Sequence, residues 1–188
     1  MPIASIWAWG WRFKRGARSL IALLLLASGA VAAGADTVYL TPDDFLRQTF
    51  DDSVPKPALL WLDNDTQARL TAVLGHRYPQ ARLRYWRGGD KTAWILDEIG
   101  KDYPITAGFV VADAHIARAQ VLIFRESRGS EIHLPAFLRQ FVDVHLAQNQ
   151  AGGDELSKHI DGITGATLSV DAMRRMARAA LVLNGLAH

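Results

Sequence analysis

Ile105-Thr106-Ala107-Gly108-Phe109-Val110-Val111-Ala112, then Asp113-Ala114-His115, then Ile116-Ala117-Arg118-Ala119-Gln120-Val121-Leu122-Ile123-Phe124: the fold turns on how this stretch is read. Two runs rich in β-branched and apolar residues flank a three-residue polar break. That pattern predicts an antiparallel hairpin at the centre of a sheet. Upstream, Arg82-Leu83-Arg84-Tyr85-Trp86 and Thr92-Ala93-Trp94-Ile95-Leu96 flank Gly88-Gly89-Asp90-Lys91, which predicts a second hairpin.

Further upstream, Thr41-Pro42-Asp43-Asp44 has the marks of a helix start: a capping hydroxyl, Pro at the first position and acids in the first turn. Phe45, Leu46 and Phe50 give that helix an apolar side, and Pro55-Lys56-Pro57 ends it. Ala58 to Leu62 reads as a short buried strand. Asp63 or Asp65 can cap a helix that carries Leu70, Val73 and Leu74 inward and stops at Gly75. Downstream, Pro135 opens a helix with Phe137, Leu138, Phe141, Val142 and His145 on one face. Gln148 to Asp154 reads as a surface loop. A last helix is predicted from about Leu168 to Asn184, with Val170, Met173, Ala177, Ala180 and Leu181 inward and Asn184-Gly185 as its stop. The sum is α+β: a small antiparallel sheet with helices packed on it.

The first 35 residues differ from the rest. Arg12, Lys14, Arg15 and Arg18 precede an apolar run from Ser19 to Ala33, and Ala33-Gly34-Ala35 offers an Ala-x-Ala cleavage site before Asp36. This is the pattern of an export signal. The apolar run is shorter than the ~20 residues of a spanning helix, which favours cleavage. Trp7, Trp9 and Trp11 keep an uncleaved inner-membrane anchor open. The expected compartment is the periplasm. The remaining residues, 36–91 as an N-terminal α/β part and 92–188 as the region that carries the chemistry, read as one domain.

Charge and cysteine content narrow the function. The chain has 21 basic and 19 acidic residues. Four of the basic ones and none of the acids lie in the leader, so from Asp36 onward the balance is 17 against 19. A nucleic-acid partner therefore lacks compositional support. With no cysteine, disulfides, iron–sulfur clusters, thiol catalysis and c-type haem attachment are excluded. The histidines His76, His115, His133, His145 and His159 are scattered without ligand spacing, which gives no metal site.

One segment carries a chemical signature: Asp161-Gly162-Ile163-Thr164-Gly165-Ala166-Thr167, immediately before the last helix. Gly162 and Gly165 permit a tight turn. The backbone N–H groups of Thr167, Leu168 and Ser169 would be the free donors of a helix N-terminus, a natural anion site. By residue type alone, a Thr at such a place is more often an N-cap. The segment is not a phosphate-binding Walker loop, because no Gly-Lys-[Ser/Thr] follows.

The segment resembles the flavinylation motif Asp-Gly-x-[Ser/Thr]-Gly-Ala-[Thr/Ser] of FMN-binding domains, a family that includes flavin subunits of the Rnf and sodium-pumping NADH:quinone reductase complexes. The resemblance covers roughly residues 92–184. It implies that an ApbE-type FAD:protein FMN transferase joins FMN covalently to Thr167 through a phosphoester, with Asp161 helping that transferase recognise the site. Glu126-Ser127-Arg128-Gly129 is similar to the family's Glu-Thr-Pro-Gly turn near the flavin, with Arg128 where Pro is usual. Residues 37–91 look more like the extra N-terminal part of small stand-alone proteobacterial FMN-binding proteins.

The cofactor-binding residues implied are therefore Asp161, Gly162, Thr164, Gly165, Ala166, Thr167, Leu168, Ser169 and Glu126 to Gly129, with no catalytic residue and no metal. His159 is close enough to face the phosphate, though a surface place is the commoner one. Tyr85, Trp86, Trp94 and Phe124 could stack on the flavin ring, yet aromatic residues in strands are more often core. The resemblance implies a periplasmic electron carrier whose partner is a membrane redox protein of PepSY or ferric-reductase type. Two other readings stay open: an exported flavin-dependent reductase with its own substrate, and a cofactor-free exported binding domain.

Overall fold

The computed structural model describes residues 36–148 and 153–187. The leader lies outside the described residues, as does most of the loop expected at 148–154. Among the described residues, no helix is long and apolar enough to cross a membrane.

The central hairpin forms as predicted. Strand β5 (Pro104–Ala112) pairs antiparallel with β6 (His115–Phe124). Strand β4 (Lys91–Ile99) pairs with β5 over nine residues and, across the Gly89-Asp90 turn, with β3 (Arg82–Gly88). Strand β1 (Thr37–Val38) pairs with the end of β6, and β2 (Ala58–Trp61) with β3. The sheet is antiparallel throughout, in the order β1-β6-β5-β4-β3-β2.

Adjacent residues along the inner strands fall into different apolar clusters, the period-two signature of a sheet covered on both faces. Trp94, Phe109 and Val121 belong to the larger cluster, with Leu70, Val73 and Leu74 of α2 (Asn64–Leu74) and the buried stripe of α4 (Thr167–Leu186). Ala93, Val110 and Leu122 belong to a smaller one, closed by Phe45, Leu46 and Phe50 at α1 (Pro42–Thr49). Trp94 is fully buried and stacked on Tyr85, centroids 4.8 Å apart. Its Nε1–H donates to Thr92 Oγ1 (3.0 Å), and the Thr92 hydroxyl donates to Asn184 Oδ1 (2.7 Å). The buried indole N–H and the Thr92 hydroxyl each have a partner, as a dry core requires.

Three expectations are corrected. First, β2 is an edge strand and not a buried one: Leu59 and Trp61 are 48% and 63% exposed. Within the strand only Ala58 and Leu60 pack on the core, and the alternate residues Leu59 and Trp61 point to the other, more open face.

Second, the helix opened by Pro135 lasts four residues, α3 (Pro135–Leu138), and passes into a 3-10 turn, Arg139–Phe141. Phe137, Leu138 and Phe141 are buried as expected, but Val142 is 36% exposed and His145 lies beyond the turn. The chain is drawn off to serve β6. Ile116 N–H donates to Val144 O (2.8 Å), and Asp143 N–H donates to Ile116 O (2.9 Å). These bonds satisfy backbone groups that the two-residue β1 leaves uncovered. A small hairpin follows, β7 (Leu146–Gln148) with β8 (Asp154–Leu156), which bounds the expected loop on both sides.

Third, α4 runs past Asn184-Gly185 to Leu186. The Asn184 side chain ties the helix to Thr92 instead of ending it, and Arg87 of β3 donates to the Ala187 carbonyl.

Candidate functional site

The end of β6 and the start of α4 meet on one side of the sheet. Phe124 is followed by Glu126-Ser127-Arg128-Gly129, and Gly129 rests directly against the first turn of α4. A Cβ placed on Gly129 would lie 2.7 Å from Ser169 Oγ and 3.1 Å from Ala166 Cβ, and its φ of +85° is left-handed. Only glycine meets both demands. This close approach brings the strand-end patch and the Gly-rich segment, 32 or more residues apart in sequence, into one wall.

The turn before α4 is built by its own residues. Ala166 N–H donates to Ile163 O (2.9 Å), and Gly165 sits at φ +80°. A left-handed residue at the third position of such a turn is what Gly165 supplies. Upstream, Arg174 donates to the Ile160 carbonyl and to Asp171 Oδ1 (2.8 Å), while Asp161 N–H donates to Gln140 Oε1 (2.6 Å). The segment that enters the turn is therefore pinned to α4 and to the turn after α3.

Thr167 is the first residue of α4, not its cap. The capping position is held by Ala166, and no side chain bonds the first-turn N–H groups. Thr167 is exposed, Leu168 is 49% exposed, and Ser169 is buried. The common reading of such a Thr as an N-cap is thereby displaced. The helix presents free donors and the positive end of its dipole to the surface beside an exposed hydroxyl.

A cavity of about 600 Å³ opens at this point, lined by Lys101, Glu126, Ser127, Arg128, Gly165, Ala166, Thr167, Leu168 and Ser169. Its size lies within the ~300–1,000 Å³ of small-ligand sites. Eight of the residues singled out in sequence thus line one hollow, and Gly129 stands behind it. Asp161, Gly162 and Thr164 are exposed and form the approach to Thr167 without lining the hollow. The Asp161 carboxylate stands in solvent, 3.8 Å from His159 Nε2, both side chains more than 80% exposed.

Among the described residues, no aromatic side chain lines the cavity. Tyr85, Trp94 and Phe124 are in the larger core cluster, and Trp86 packs on the smaller one. Lys101 is the residue that sequence reading misses. It sits in the β4–β5 turn and reaches the cavity only because β4 and β5 pair through Ile99 and Pro104. No local motif marks it.

Two cations, an open helix N-terminus, an exposed hydroxyl and an apolar lip at Leu168 suit a ligand with a phosphate at one end and a flat, partly apolar body. The fold and site define an α+β cofactor-holding domain. Residues 100–182 match the family model of the FMN-binding domain, which supports assigning that stretch to the family and FMN as its cofactor. The match begins at the β4–β5 turn and ends within α4, so it contains the whole lining of the cavity. No curated protein and no solved structure matches the chain.

Proposed function

We propose that this protein is an exported electron-transfer flavoprotein that carries FMN covalently on Thr167. The observation that carries the reading is the state of Thr167: exposed, at the first position of an uncapped helix, on the rim of a cavity walled by Arg128 and Lys101. In the attachment step the Thr167 hydroxyl attacks the FMN phosphorus of FAD. A phosphoester to Oγ1 forms, the pyrophosphate bond of FAD breaks, AMP leaves, and the hydroxyl proton is released. An ApbE-type transferase supplies the catalysis.

Once bound, FMN supplies the redox chemistry. The chain's own residues hold and orient it. The first-turn N–H groups of α4 would hold the phosphate end, Leu168 would offer apolar surface, and Arg128 would place positive charge at the cavity wall. A covalent tether suits a compartment outside the cytoplasm, where a dissociated cofactor is lost. The periplasm and a membrane redox partner of PepSY or ferric-reductase type fit the leader and the family resemblance.

The test is mass. Protein co-expressed with the transferase and exported should stay yellow after denaturation and gain the mass of one FMN less one water. Thr167→Ala should lose that gain entirely. Denaturation-resistant FMN on Thr167→Ala overturns the attachment site. A wild-type protein that gains no mass favours a cofactor-free binding domain.

A further inference from the structure

Glu126 is the one acid in the cavity wall, where an anionic cofactor is to be held. Its carboxylate does not face the cavity as a free charge. One oxygen, Oε1, accepts three successive backbone N–H groups from the β4–β5 turn: Lys101 at 2.5 Å, Asp102 at 2.7 Å and Tyr103 at 2.9 Å. The turn is closed on itself by Gly100 N–H donating to Tyr103 O (3.1 Å). It is wrapped so tightly that a Cβ on Gly100 would lie 2.9 Å from Glu126 Oε1. Charge-assisted bonds to backbone N–H are about twice as strong as neutral ones, and three converge here on one atom. A residue two positions past the end of β6 therefore grips the turn that joins β4 to β5.

Lys101 is the first residue gripped. Its side chain lines the cavity and is 71% exposed, with its Nζ 3.4 Å from the Asp102 carboxylate. So exposed a pair is worth little, and it leaves the ammonium available to a stronger anion. Lys101 and Arg128 are the two cations in the cavity wall. Arg128 comes with the β6 end; Lys101 comes only through the grip of Glu126.

We propose that Glu126 is a positioning residue, and that by clamping the Gly100–Tyr103 turn it sets Lys101 as a cation beside the bound FMN. The proposal rests on the FMN reading of this site. Uptake of two electrons and one proton leaves the flavin with one more negative charge than before. A fixed ammonium beside it favours that state over the neutral oxidised one. Glu126 thus acts on the flavin through Lys101 while its own charge is absorbed by the turn.

Two measurements test this, one without cofactor. In the unflavinylated protein, amide hydrogen exchange at Lys101, Asp102 and Tyr103 should accelerate about tenfold or more in Glu126→Ala, because three bonds to a charged acceptor are lost together. Glu126→Gln, which keeps an oxygen, should lie between. Unchanged exchange in Glu126→Ala overturns the clamp. In the flavinylated fraction of each protein, Lys101→Gln and Glu126→Ala should both lower the midpoint potential, and Lys101→Arg should keep it near the wild-type value. Loaded variants that titrate on the wild-type curve overturn the role of Lys101. Wild-type protein that takes up no flavin overturns the covalent reading and the Lys101 half of this proposal, while the exchange experiment still decides the clamp.

Discussion

Three helices of useful length begin in this domain, and they begin differently. At α1 the Thr41 hydroxyl accepts from Asp44 N–H (3.1 Å), and Pro42 removes a donor that would otherwise be free. At α2 Asp63 accepts from Thr66 N–H (2.8 Å). That bond is the first cause holding the Asp63 carboxyl below its ordinary range. At α4, the longest of the three, the capping place is taken by Ala166 and the donors are left open. Two starts are closed by their own side chains and serve the fold. The third is closed by no side chain among the described residues, and it is the one beside the cavity. Its helix can carry an open start because the remainder is buried from Val170 to Leu183 along its inner stripe. Helix stability in proteins comes mostly from packing such a face.

The contrast is broken most directly by removing one hydroxyl and one carboxylate. Thr167→Ala should abolish covalent FMN and leave the melting temperature of the unflavinylated protein where it was, since no cap is lost. Asp63→Ala should do the reverse: full FMN attachment, with a melting temperature lower by a few degrees. The Asp63 loss should also depend on pH. A lowered carboxyl contributes stability present above its unfolded value near 3.8 and lost as pH falls through the lower folded value. Thermal melts from neutral pH down to below 3 should show the two proteins converging. If Thr167→Ala melts several degrees low, Thr167 has a structural duty that the contrast denies.

Asp161 sharpens the same point. Its side chain stands in solvent and only its N–H is tied to the fold. Asp161→Ala should therefore fold and melt as the parent while accepting FMN several-fold more slowly in early time points with the transferase. Equal initial rates would remove Asp161 from recognition.

Arg128 tests what the wall does after attachment. A cation ~6 Å from the reduced flavin, at an effective dielectric of ~20, is worth about 3 kcal/mol before screening. Arg128 is exposed, so a fraction of that survives. Arg128→Ala should lower the midpoint potential by something on the order of 20 mV for a two-electron couple, about 1 kcal/mol, with occupancy unchanged. Superimposable spectroelectrochemical curves would mean that Arg128 points to water.

What was legible in the sequence follows from the range of the forces involved. Thr41-Pro42, Asp63 and Gly75 act within four residues: Thr41 and Gly75 cap where the sequence places them, and of Asp63 and Asp65 it is Asp63 that caps. The turns at Gly89-Asp90 and Asp113-Ala114 are equally local and set their hairpins. The motif at 161–167 and the patch at 126–129 were each readable, but their meeting depends on Gly129 fitting against Ser169, a contact between distant elements. Lys101 was invisible for the same reason: three backbone donors and a carboxylate 23 to 25 residues away place it. The helix expected through His145 failed because Val144 is recruited by Ile116, and helical periodicity carries no record of that demand. Strand β2 reads as buried because all five residues from Ala58 to Leu62 are apolar, whereas exposure is set by what packs on each face of an edge strand, and only one face of β2 meets the core.

The smallest expected effect belongs to Glu98, near the end of β4, where the charges stabilise the fold and do not line the cavity. Glu98 has a side chain only 2% exposed, and Arg175 of α4 donates to its Oε1 at 2.9 Å. His76, just past the end of α2, lies with Nε2 3.0 Å from Glu98 Oε2 and Nδ1 3.1 Å from the Arg77 carbonyl. Both neighbours are acceptors, so only the doubly protonated ring can donate to each. The Arg77 carbonyl and then the Glu98 carboxylate raise the His76 pKa from its ordinary 6.5, against burial and the nearby Arg175. The sign follows. A raised histidine contributes stability that is fully present below its unfolded value near 6.5 and is lost as pH climbs through the higher folded value. The ring side chain is 46% exposed, so solvent screens the pair and the stake is a degree or two of melting temperature. His76→Gln, which keeps one donor, should melt below the parent at pH 5.5 and approach it by pH 8.5. The covalent FMN of both proteins should be the same at either pH. A gap that widens with rising pH would reverse the assignment and leave Arg175 as the partner of Glu98.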